Sequence, residues 1–174
     1  MRKYFFKSGL SLLILAGFML FMVGCNSGGK DTSSFSQPLE PKFVKEGSLT
    51  LIDKESQESI RQINIEIADD PESIEIGLMY RRNMSDSQGM LFIFPGSEPR
   101  SFWMRNTYIS LDLIFIDSEQ RIVNIQKNAS PMSDKSLPST APAQYVLEVI
   151  GGFSDKYGLE AGDLISFERI KNPA

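Results

Sequence analysis

The sequence has a single cysteine, Cys25, and that restricts most what the chain can fold into. No disulfide can form within it, so any fold must be held by burial of apolar surface. Hydrophobic residues make up 41% of the chain, enough for a packed core rather than a disordered coil. Histidine is absent altogether. Without imidazole or a second thiol, Ser-His-Asp and Cys-His sites are excluded, as are zinc sites built on His or Cys. The sequence offers no metal site beyond a carboxylate cluster for a hard cation such as Ca²⁺ or Mg²⁺, and no cofactor is expected.

The first 24 residues have the layout of a secretory signal. Basic Arg2 and Lys3 come first, residues 10–23 form an apolar stretch, and Gly24 precedes Cys25. The stretch is too short for a membrane-spanning helix, which needs about 20 residues. Met22-Val23-Gly24-Cys25 resembles the lipobox of bacterial lipoproteins, with Met22 where leucine is commoner. That resemblance implies cleavage before Cys25 and a diacylglycerol on its sulfur, with palmitate-like chains holding the protein to a membrane. Asn26 follows where an Asp often marks inner-membrane retention. The expected location is therefore the extracytoplasmic side of the cell envelope, on the periplasmic face of the outer membrane where the cell has one.

Residues 25–42 are rich in Gly, Ser and Pro and read as a flexible tether. A single domain is expected over 43–174. Period-two alternation marks strands at 47–52 and 63–67. Asp70-Pro71 is a helix start, cap followed by preset φ, and the spacing predicts a helix to about Arg81 with Ile74 and Leu78 inward and Gly77 inside it. Further strands are expected at 90–94, 101–104, 111–116, 121–126, 145–150 and 164–168. The nearly continuous apolar run 111–116 belongs inside the sheet. Residues 128–143, with three prolines, read as a long surface loop. A short helix at 153–157 ends at Gly158. The expected class is α+β: a compact, mostly antiparallel, curled and barrel-like sheet with one or two short helices.

Glu75-Ile76-Gly77-Leu78-Met79-Tyr80-Arg81, Gly89-Met90-Leu91-Phe92, Phe102-Trp103-Met104-Arg105-Asn106-Thr107, Leu111-Asp112 and Val146-Leu147-Glu148 with Gly151 follow in that order. Together they resemble domain of unknown function family 192 (DUF 192, uncharacterised protein family 0127), over about residues 48–168. Arg105 stands where that family often has Lys. The resemblance implies a compact α+β domain, often exported or lipid-anchored, and carries no catalytic residues.

Three carboxylates stand in apolar or special segments: Glu75, Asp112 and Glu148. Paired carboxylates can perform acid–base or glycosidic chemistry. Alternatively Asp112 and Glu148 point to a wet sheet face, or pair with Arg81, Arg100 or Arg105. Trp103, the only tryptophan, stands before Arg105, Asn106 and Thr107 and can stack a sugar or small polar ligand. It reads equally as a core residue before a turn. Arg81 and Arg105 can grip an anion, or serve as surface ion pairs. Met79, Met84, Met90 and Met104 read as core filler.

Arg2, Lys3 and Lys7 precede Cys25, leaving 15 of the 18 basic residues against 22 acidic ones, a net charge of −7. Nucleic acid is therefore not an expected partner. The chain is read as a non-catalytic binding module of the envelope, with a glycan, a small polar ligand or an envelope protein as partner. The alternative is a carboxylate-dependent hydrolase of envelope glycans or phosphoesters.

Overall fold

Strand alternation begins at Gly47, where every second residue to Leu51 is buried, giving β1 (Gly47–Ile52). A computed structural model describes residues 40–170. The expected signal at 1–24, the lipid site Cys25 and the tether as far as residue 39 lie outside the described residues. Ten elements follow β1: β2 (Ser59–Ala68), α1 (Pro71–Ile76), β3 (Gln88–Glu98), β4 (Ser101–Phe102), β5 (Leu111–Ile116), β6 (Ile122–Ala129), β7 (Leu137–Pro138), β8 (Ala143–Ile150), α2 (Phe153–Tyr157) and β9 (Leu164–Arg169).

Seven strands form one sheet in the order β6-β5-β8-β3-β2-β1-β9, and β4 pairs with β7 separately. Every neighbouring pair is antiparallel except β2 and β3. A parallel pair requires a crossover rather than a hairpin. Residues 69–87, carrying α1, supply it, so the helix placed by the Asp70-Pro71 signal lies over the sheet. The two outer strands approach at one end. There Ile122 N–H donates to the Asp163 carbonyl and Gly162 N–H to the Ile122 carbonyl, both at 2.8 Å, beside a bridge between Arg121 and Leu164. The sheet curls strongly without closing into a barrel.

α1 starts as its sequence dictates. The Asp70 carboxylate accepts from Glu72 N and Ser73 N at 3.0 and 3.1 Å, and Ser73 closes the capping box. It ends earlier than the apolar spacing suggests. Gly77 adopts φ 49° and caps the helix after six residues, its N–H donating to the Ser73 carbonyl. The helix to Arg81 is therefore corrected, and Gly77 is a C-cap rather than an interior glycine. A Cβ there would also stand 3.0 Å from Phe92 Cζ, so left-handed backbone and close approach both call for glycine.

Both sheet faces are covered. Leu49, Leu51, Ile63, Ile65, Leu91, Ile114, Leu147 and Val149 pack on one side, with Phe153 of α2. Leu78, Met90, Phe92, Leu111, Leu113, Phe115 and Val146 pack on the other, with Met104. All six residues of β5 are buried, which is why its sequence reads as a continuous apolar run. The proline-rich segment 128–143 carries β7 and is strapped to residues 100–107. Met104 N–H donates to the Ser133 carbonyl and Ser139 N–H to the Arg100 carbonyl at 2.8 Å, and Met132 N–H to the Thr107 carbonyl at 3.0 Å.

Asp112 is the polar exception in β5. It is fully buried, and its Oδ1 accepts from Asn128 N at 2.7 Å and Gly152 N at 3.1 Å, while Oδ2 accepts from Ser154 N at 2.8 Å. Neither a wet sheet face nor an arginine partner describes it. Three backbone amides take the carboxylate's lone pairs and hold the start of α2 against the sheet.

Candidate functional site

The candidate site follows from period two in β8. Leu147 and Val149 pack on the face lined by Ile65 and Leu91, so Val146 and Glu148 point to the opposite face. In register, Glu148 stands between Met90 of β3 and Leu113 of β5, two apolar neighbours. The crossover and residues 99–107 then cover it. The result is an open cleft of about 330 Å³, small against typical ligand sites but within their range.

Glu148 is only 5% exposed, and its Oε2 is buried with no hydrogen-bond partner. That is costly for a polar atom unless a ligand or water completes it. Burial raises its carboxyl from the usual 4.5 to about 8, and the Arg81 guanidinium pulls the other way. At neutral pH the group is largely protonated, both donor and acceptor. Gly77 forms the cleft wall nearest to it: a Cβ there would stand 3.8 Å from Glu148 Oε2.

Aromatic rings make most of the remaining wall. Phe92, Phe94, Phe102 and Trp103 line the cleft together with Ile74, Glu75, Arg100 and Thr107. Phe102 sits edge-on to both Phe92 and Phe94, with centroids 5.1 and 6.4 Å away. Trp103 is not a core residue: it is 49% exposed, with the Arg105 guanidinium 4.4 Å over its ring. Arg100 stacks 4.0 Å over Phe94 and donates to the Ala143 and Gly96 carbonyls at 3.2 and 2.6 Å. It is positioned by the backbone and needs no ligand to satisfy it.

Behind the cleft, Arg81 and Glu66 form a buried ion pair. Nη2 donates to Oε1 at 2.9 Å, and Nη1 lies 2.7 Å from Oε2. Glu66 Oε1 also accepts Val44 N at 3.0 Å. Arg81 is thus a buried structural cation, whereas Arg105 makes an exposed pair with Asp134 at 2.8 Å. The two arginines do not converge on one anion. Asn106, with φ 56°, donates from its side chain to Tyr80 Oη at 3.1 Å, while its carbonyl accepts Tyr80 N at 2.8 Å. Its work is to tie the crossover to the turn after Trp103. Thr107 lines the cleft from a buried position, its hydroxyl donating to the Arg105 carbonyl at 3.3 Å.

Of the three carboxylates, the structure brings together Glu75, exposed on α1, and Glu148, buried on β8; both line the cleft. Asp112 is turned away into α2. Among the described residues no group of three or more Asp, Glu, His or Cys side chains is placed to hold a metal ion. Phe92, Phe94, Phe102 and Ile74 line the cleft without having been expected there from sequence. The alternation of Phe92 and Phe94 along β3 was their one visible signal.

The chain belongs to the DUF 192 family, described as an uncharacterized ACR, whose model matches residues 52–167. It is similar to the crystal structure of a proposed transcription regulator from Sinorhizobium meliloti 1021, at 37% identity and a TM-score of 0.68, covering 73% of this chain and 98% of that one. It is also similar to a protein of unknown function from Novosphingobium aromaticivorans DSM 12444, at 33% identity and a TM-score of 0.65, covering 68% and 83%. No curated protein matches the chain.

Proposed function

We propose that this member of the DUF 192 family is a lipid-anchored protein of the cell envelope whose domain binds a small ligand in the cleft over Glu148. One observation carries the binding reading. A buried carboxyl with an unpartnered oxygen forms the floor of an aromatic-walled opening, where a ligand's polar group can complete it. Trp103 at the rim offers a ring for a sugar or another flat surface to stack on. Envelope glycan fragments and small polar metabolites are the candidates. An envelope protein reaching the rim through a side chain is a third occupant. The proposed regulator among the similar structures does not make nucleic acid a favoured partner here, because residues 25–174 carry a net charge of −7.

Calorimetric titration of the soluble domain against a panel of glycan fragments and metabolites is the test. The expected result is at least one ligand whose affinity falls tenfold or more in Trp103→Ala. No binding across the panel, with an unchanged circular dichroism spectrum, counts against the reading. The anchor is tested separately: Cys25→Ser is expected to move the full chain from the detergent to the aqueous layer in a phase-partition assay. A mutant still found with detergent removes the lipid from the account.

A carboxylate-dependent hydrolase is the second reading, favoured by one observation: Glu75 and Glu148 share the cleft in opposite environments. A buried protonated acid beside a solvated carboxylate is the division of labour that glycoside hydrolysis uses. The same panel decides between the readings. Product released over hours, and lost in Glu148→Gln, identifies an enzyme; unchanged ligand identifies a binding module.

A further inference from the structure

We infer that the ligand of this cleft carries a primary ammonium group on a short apolar body, with the ammonium seated on Glu148 and the body against the phenylalanines. The inference rests on the cleft being a ligand site at all, and it names the chemistry that fits.

The charges in and around the cleft fall into two sets. Arg100 is the one cation among the residues lining the cleft. Arg81, behind the wall, donates from Nη2 to Glu66 Oε1 and lies with Nη1 2.7 Å from Oε2, its Nε having no hydrogen-bond partner among the described residues. Arg100 is held by two backbone carbonyls and lies 3.7 Å from Glu98. Arg105 at the rim is paired with Asp134. The two carboxyl groups that line the cleft are not engaged. Among the described residues Glu148 Oε2 has no hydrogen-bond partner, and the Glu75 side chain makes no hydrogen bond or ion pair. The cleft lining offers an incoming anion two acids and one cation, Arg100, already held by backbone carbonyls. An incoming ammonium finds both acids.

The walls narrow the class further. Phe92, Phe94, Phe102 and the exposed Trp103 line the cleft and give the methylene groups of a ligand an apolar wall to pack on. An unpartnered carboxyl oxygen calls for N–H donors, which a quaternary ammonium lacks and a primary ammonium has three of. The cleft's size of about 330 Å³ suits a small alkylamine rather than a chain of sugars.

Seating a cation there needs Glu148 ionised, so its carboxyl proton leaves to solvent as the ammonium enters. Of the charged groups around it, the Arg81 guanidinium behind favours the ionised form, and Glu75 from α1 and Arg100 from the 99–107 segment line the same cleft. With its carboxyl raised to about 8, affinity for the ammonium should increase about tenfold per pH unit up to that value and level off above it.

Hexylammonium and hexan-1-ol, which share one apolar body, are the probes, titrated into the intact protein at pH 6, 7 and 8 by calorimetry. The expected result is a hexylammonium affinity at least tenfold above that of hexan-1-ol at pH 8, rising from pH 6. Glu148→Gln is expected to abolish the preference for hexylammonium over hexan-1-ol. Equal affinity for the two probes, or a preference that survives Glu148→Gln, overturns the inference. If a neutral glycan binds in a Trp103-dependent manner and hexylammonium does not, the ammonium assignment falls and the cleft remains a binding site. If neither binds, both fall.

Discussion

Arg81→Met is expected to destabilise the domain by about 3–5 kcal/mol, the range for breaking a buried ion pair from one side. Arg81 and Glu66 are both almost wholly buried, and their two contacts at 2.9 and 2.7 Å offset opposite charges that water hardly reaches. Methionine fills much of the same volume but leaves the Glu66 carboxylate with Val44 N as its remaining hydrogen-bond donor. It also strips Glu148 of the one cation that favours its ionised form. Thermal unfolding should show a midpoint lower by roughly 10–20 °C for a domain of this size. The double variant Arg81→Met with Glu66→Leu should recover most of that loss, because an apolar pair replaces an ionic one without stranding a charge. A single variant that unfolds within a few degrees of the parent contradicts the reading of this pair as a buried ion pair.

The second large effect is a pH dependence set by Glu148. Its folded carboxyl is raised to about 8 from 4.5, so below 4.5 both folded and unfolded chains hold the proton and stability is unaffected. Between 4.5 and 8 the unfolded chain releases the proton while the folded one keeps it. Stability then falls with rising pH, and the loss is complete once pH passes the folded value. Each unit of that interval is worth about 1.4 kcal/mol, so the whole drop is on the order of a few kcal/mol. Glu148→Gln removes the proton from the balance. Urea titrations from pH 5 to 8.5 should show the parent losing stability relative to the Gln variant, which ends the more stable of the two at high pH. Parallel curves contradict the assigned environment of Glu148. The same raised carboxyl suits a ligand site, since stability given up around neutral pH is what a functional group held out of water costs its fold.

Much of the architecture is legible in the residues. The run Leu111-Asp112-Leu113-Ile114-Phe115-Ile116 announces a strand covered on both faces, and β5 is that strand. Asp70-Pro71 announces a helix start with the observed cap. The end of that helix is not legible from apolar spacing, because Ile74 and Leu78 keep helical period while Gly77 between them turns the backbone left-handed. Nor is the parallel pairing of β2 and β3 legible. It is a non-local choice that strand composition does not encode.

The site shows the same division. Glu75, Trp103, Thr107 and Glu148 stand in the segments that the sequence singles out, and the structure brings them to one cleft. What sequence alone left open was the environment of Glu148. Val146-Leu147-Glu148-Val149 is apolar but for Glu148, and a carboxylate on one face of a strand reads as solvent-facing unless something covers that face. The covers are the crossover 69–87 and the segment 99–107, both distant in sequence. For Asp112 the missing information was likewise tertiary: the amide of Asn128 meets it when β6 pairs with β5, and those of Gly152 and Ser154 when the start of α2 docks.

The central claim is that Glu148 is a buried, uncommitted carboxyl at the floor of a ligand cleft. Carbon-13 NMR of its side-chain carboxyl in the free protein, followed from pH 4 to 9, tests that claim most directly. The account predicts a midpoint near 8, well separated from the solvated carboxylates. A midpoint at the usual 4.5 would mean a hydrated or fully partnered group, and would contradict it.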